Sequence, residues 1–152
     1  MSDNKLILCA LTYLRDSRRD AMGDRRAVST AYYAVFHALA QLCADEFMTK
    51  SRRRTDEYER IYRALDHGQL RAAFTAHPLR DHVKLRVLGF QILQLQAERH
   101  RADYLPLRRI YSPLQCEDIV RQAREVIVEI ASLSAEDRRT LSICLLFKNR
   151  PT

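Results

Sequence analysis

Glycine, proline and tryptophan are scarce: three Gly, four Pro and no Trp in 152 residues. Gly and Pro supply the tight turns of hairpins and break regular backbone, so their rarity argues for long helices rather than many short strands. No CxxC pair occurs among the four cysteines, Cys9, Cys43, Cys116 and Cys144. A zinc ribbon or dithiol redox motif therefore has no support, and the apolar helical context of each thiol predicts four buried cysteines in a reducing compartment. No apolar run approaches the length of about 18 residues that a membrane span needs, and the N-terminus lacks the pattern of a secretory signal. A soluble, cytoplasmic protein with no membrane partner is expected. There is no Gly-rich phosphate loop, GxSxG turn, HExxH helix or paired-carboxylate signature, so no cofactor and no metal are expected.

What the chain does contain is positive charge. The 26 basic residues outnumber 19 acidic ones, and only four of the 26 (Lys5, Lys50, Lys84 and Lys148) are lysine. Arg favours bidentate phosphate contacts and stacking more than Lys does, so a basic balance of +7 permits nucleic-acid binding without establishing it. At this length one domain can bury a continuous core without disulfides or metal.

The longest uninterrupted helical stretch covers residues 25–47 and contains no Gly or Pro. One apolar stripe runs through Ala27, Ala31, Ala34/Val35, Ala38 and Leu42; a second runs through Val28, Tyr32, Phe36, Leu39, Cys43 and Phe47. Two stripes predict a helix packed on several neighbours, with the alanines allowing close approach. Between them lies a mixed face of Arg26, Thr30, Tyr33, His37 and Gln41.

Around this helix the chain reads as an all-α bundle of four or five main helices with a short extra C-terminal element. Residues 5–14 form a first helix, capped by Asn4 or Asp3 and carried by Ile7, Leu11 and Leu14. Residues 15–26, with Gly23, read as an exposed connection, and 48–55 as a basic loop holding Arg52, Arg53 and Arg54. Thr55 or Asp56 caps a helix to Leu65, and Gly68 ends or kinks it. A short helical piece over 70–74 stops near His77-Pro78. The next helix runs from Arg80 or Asp81 to about Arg101 on a stripe of Leu85, Leu88, Ile92 and Leu95 that then delivers Arg99. After a loop over 102–111, Ser112-Pro113-Leu114-Gln115 spells a capping box for a helix to about Leu133. Ser134 with Asp137 repeats a weaker start, and 142–147 reads as a helix or a terminal strand.

Metal-independent RNA cleavage needs a base to take the ribose 2′-hydroxyl proton and a cation to stabilise the phosphate. Arg60 to His67 and Arg71 to His77 fit an Arg-to-His spacing, but 22 Arg and five His placed at random would produce as many. His37 shares a helical face with Tyr33; an imidazole could act as a base there or simply pack. Arg99 and Asp103 are spaced to form an ion pair on one helix, the ordinary way to accommodate a cation on an apolar stripe. Tyr104 and Tyr111 could stack on a base or cover the bundle end.

The segments RAVSTAYYAVFHALAQL and, later, LQAERHRADY resemble the HEPN superfamily, specifically a small bacterial branch with an AYYAxFHA helix and a distal RxxADY segment. The helix from Ser112 and its Ala123 fit the same pattern, so the similarity spans about residues 5–133, with 134–152 as an extension. The resemblance implies a helical bundle that dimerises, in toxin–antitoxin or antiviral defence settings, beside a nucleotidyltransferase-like or other neighbouring-gene protein. Active members are metal-independent endoribonucleases whose Arg and His combine across the dimer; others only bind. Carried onto this chain, the family Arg falls on Arg99, and Tyr104 stands where an active member has His. Tyr ordinarily titrates near pH 10 and is a poor base at neutrality. The expected site is therefore Arg99, His37 and Tyr104 for any catalysis, with Arg26, Tyr33, Asp103 and the Arg52, Arg53, Arg54 run for RNA or partner binding.

Overall fold

The computed structural model describes residues 4–16 and 19–150. Among them are seven α-helices and no strand: α1 Lys5–Arg15, α2 Ala21–Phe47, α3 Asp56–Tyr62, α4 His67–Thr75, α5 Val83–Tyr104, α6 Pro113–Ala131 and α7 Ala135–Leu146. The all-α expectation holds, and the segment 142–147 is helical as far as Leu146. No helix among the described residues is long and apolar enough to cross a membrane.

Polar side chains set most of the starts. Asn4 accepts a 2.9 Å hydrogen bond from the Leu6 N–H and caps α1; the alternative cap, Asp3, lies outside the described residues. Thr55, Asp66 and Ser134 do the same for α3, α4 and α7. The capping box of α6 is complete: Gln115 N–H donates to Ser112 Oγ at 3.2 Å, and Ser112 N–H donates to Gln115 Oε1 at 2.8 Å. α5 is capped by an imidazole, since His82 Nδ1 accepts from the Leu85 N–H at 3.1 Å.

Several boundaries differ from expectation. α2 begins at Ala21, because Asp20 accepts from the Gly23 N–H at 2.7 Å and supplies the cap. The expected exposed connection is thus partly helix, and its Asp24 and Arg25 are buried. α3 stops at Tyr62, and Gly68 lies inside α4 rather than ending a helix, because the Asp66 cap restarts the backbone just before it. The basic loop contains a 3-10 turn over Lys50–Arg52. α5 continues through Tyr104, leaving the loop to begin at Leu105. Cys43 and Cys116 are buried as expected, but Cys9 is exposed and Cys144 only half-buried. Burial pushes the Cys43 thiol up to about 12 and the Cys116 thiol to about 11.

The chain divides into two compact units. In the first, described over residues 4–16, 19–36 and 91–128, α1 packs with the opening of α2, the close of α5 and most of α6. A cluster of Val28, Ala102, Tyr111 and Cys116, flanked by Leu14, Ile110 and Ile119, forms part of its core. Along α2 here Ala27, Ala31, Ala34 and Val35 are fully buried, as the first stripe predicts. The second unit, described over 37–90 and 129–150, buries Leu39, Leu70, Leu79, Leu85, Leu88, Leu141 and Leu145. Gly89 allows the close approach of α4 to α5 there: a Cβ at this position would stand 2.3 Å from Phe74 Cδ1.

Candidate functional site

The apolar stripe of α5 delivers Arg99 into the first unit, as its spacing predicts, with its side chain only 12% exposed. Aromatic faces hold it there. Its Cζ lies 5.3 Å from the Tyr32 ring centroid and 5.8 Å from that of Tyr33. The two rings themselves meet edge-on, with centroids 5.7 Å apart. Asp103, one turn on, pairs with Arg99 Nη1 across 3.6 Å, longer than a hydrogen bond. Arg99 Nε is buried without a hydrogen-bond partner among the described residues. Gln96 donates to the Tyr32 hydroxyl at 3.3 Å. Burial raises the Tyr32 pKa, while Gln96 and the Arg99 charge oppose that rise.

Beside this cluster the last turns of α5 expose a second ladder. His100 and Tyr104 are four residues apart, one turn along the same face. Their ring centroids lie 4.8 Å apart, and Tyr104 is 68% exposed. The loop that follows is tied down from α2. Buried Arg25 donates to the carbonyls of Ala102 at 3.2 Å, Leu105 at 2.8 Å and Arg108 at 2.9 Å, and also to that of Pro106. Carbonyl dipoles at the negative end of α5 thereby offset a buried cation. Its neighbour Asp24 is 1% exposed and takes Arg19 at 2.6 Å and Arg109 at 3.3 Å. Tyr111 completes the arrangement by donating to Glu98 Oε2 at 3.0 Å.

The structure therefore brings Tyr33, Arg99 and Asp103 together and sets Tyr104 on the adjoining face of α5. Arg26 is exposed on α2. The other expected residues belong to the second unit. His37 is exposed there, and its Nδ1 lies 2.6 Å from the Tyr62 hydroxyl. Tyr62 is raised by burial. Within the basic run Arg52 and Arg54 are exposed, but Arg53 grips Asp45 with two hydrogen bonds of 3.0 and 2.6 Å. Of the remaining histidines, His77 meets Asp81 at 2.9 Å and His82 meets Asp137 at 3.1 Å.

Sequence reasoning missed Tyr32 and Gln96 as members of the Arg99 cluster, and Asp24 and Arg25 as buried groups. A signal existed for the last two: Asp24, Ala27, Val28 and Ala31 continue the apolar stripe at helical spacing, as do Arg25, Val28 and Tyr32.

Comparison of the chain with protein-family models, with curated proteins and with solved structures returns no match.

Proposed function

We propose that this chain is a HEPN-like protein of bacterial defence or toxin–antitoxin systems that acts as a homodimer and binds RNA or a protein partner through the Arg99 cluster. The observation that carries the reading is the way Arg99 is held. Two tyrosine faces fix the guanidinium, while its carboxylate partner stands beyond hydrogen-bond distance, so an incoming phosphate can compete with Asp103 for an already oriented fork. Tyr104, in the place of the expected base, supports binding over cleavage.

A second reading, a metal-independent endoribonuclease, draws on His100, an exposed imidazole adjoining Arg99 in sequence. Purified protein incubated with single-stranded RNA in chelator separates the two. Salt-sensitive retention without cleavage, weakened about tenfold in Arg99→Ala and partly restored in Arg99→Lys, is the expected result. Cyclic-phosphate ends that vanish in Arg99→Ala and His100→Ala would move the assignment to the nuclease. RNA that is neither bound nor cut would leave a scaffold or antitoxin-like role with a protein partner. A single-protomer mass by light scattering would remove the dimer.

A further inference from the structure

The most exposed aromatic side chain of the first unit sits against an imidazole, beside arginines, at the end of a helix whose following loop is pinned from below. We infer that the His100–Tyr104 ring pair is a stacking platform for one unpaired base of single-stranded RNA, with Arg108 meeting a flanking phosphate. The inference rests on the RNA-binding reading above and names the part of the ligand that Arg99 does not touch.

Three observations carry it. First, the pair is already assembled: the rings lie 4.8 Å apart at 44° on a single helix, so little side-chain freedom remains to be lost when a base is added. Tyr104 is 68% exposed, which leaves ring surface for a second stacking partner. A core role would have buried it, as it buried Tyr111 and Tyr32.

Second, a free cation is delivered to the same end of α5. Arg101 faces Glu98 at 3.2 Å, and Arg109 faces Asp24 at 3.3 Å. Arg108 is exposed, and among the described residues its side chain has no partner. Its main-chain carbonyl is one of the four bound by Arg25, and two of the others belong to Ala102 and Leu105. A single guanidinium touching all of these brings the backbone of Arg108 back beside the last turn of α5. Arg25 is thus a positioning residue for the loop and not a ligand contact.

Third, the chemistry selects the occupant. An open π-face with an unneutralised Arg on the loop that follows the same helix matches a base and its phosphate, the pairing on which single-strand binders rely. An acidic peptide would use the Arg but has no general need of the ring platform.

The test compares a fluorescently labelled oligoadenylate with the same ribose-phosphate backbone lacking bases, titrated onto the full chain. The wild type is expected to bind the base-bearing strand about tenfold more tightly, the order of one base stacked on an aromatic side chain. Tyr104→Ala should erase that difference and Tyr104→Phe should keep it. Arg108→Ala should weaken both strands alike and lower the salt slope by about one unit. Unchanged thermal melting would show that each variant is folded. Equal binding of both strands by the wild type, or base preference surviving Tyr104→Ala, overturns the platform while leaving RNA binding by Arg99 intact. Wild type that binds neither strand overturns both.

Discussion

The carbonyl oxygen of Leu105 accepts a 2.8 Å hydrogen bond from Nη1 of Arg25, a residue of α2 80 positions earlier. The same guanidinium serves the carbonyls of Ala102, Pro106 and Arg108, so one buried side chain closes the end of α5 and shapes the loop that carries Arg108. Replacing it with Met keeps much of the volume but strands one buried acceptor, the Ala102 carbonyl, and takes the donor from three part-buried carbonyls. Arg25→Met should cost about 2 kcal/mol in urea unfolding, given about 1–3 kcal/mol for a buried group left unpaired and less for those that water can reach. Arg25→Lys should recover only part, because a single ammonium cannot span the fork. A loss below about 1 kcal/mol would show that the loop is held by other contacts.

Gly89 allows the Phe74 ring to lie against α5. In an exposed helix Gly→Ala gains about 1 kcal/mol from propensity alone. Here the added methyl would meet Phe74 at 2.3, 2.7 and 3.0 Å, and overpacking costs of about 1–3 kcal/mol outweigh the gain. Gly89→Ala is therefore expected to lower stability, and Phe74→Leu in the same chain to restore part of the loss. Calorimetry of the two single variants and the pair measures the coupling. Simple additivity would refute the contact.

Acid sensitivity should trace partly to Asp45. Burial acts to raise its pKa, but hydrogen bonds from Arg53 and from the Tyr58 hydroxyl at 2.9 Å outweigh burial and leave it lowered. Tyr58 is pushed in the opposite direction, up to about 12, first by burial and then by its bond to Asp45. Because the folded pKa of Asp45 lies below the unfolded value of about 3.9, its stabilisation is complete above that value. It is lost as pH falls through the folded pKa. The denaturant midpoint of the wild type should therefore fall more steeply below about pH 4 than that of Asp45→Asn, whose stability at pH 7 should already be lower. Superimposable acid limbs would count against this role.

Much of the architecture was legible because local chemistry sets it. Ser112 and Gln115 form their capping box wherever the helix goes, and the spacing of Leu85, Leu88, Ile92, Leu95 and Arg99 puts all five on one face. The Arg99–Asp103 pair follows from the same geometry. The start of α2 was not legible: Gly23 and a run of charges resemble a solvated connection, and burial of Asp24 and Arg25 is made tolerable by Arg19 just before them together with long-range partners on the 102–109 segment.

Periodicity by itself therefore determined that this protein is helical, which faces are apolar, and that a cation rides on the buried stripe of α5. Tertiary structure decided what surrounds that cation: the two tyrosine faces, the loop pulled back by Arg25, and the exposure of Tyr104. The division has a physical cause. Helix faces and caps depend on residues three or four apart, whereas a buried charge is stabilised by groups that only the folded chain brings within hydrogen-bond distance.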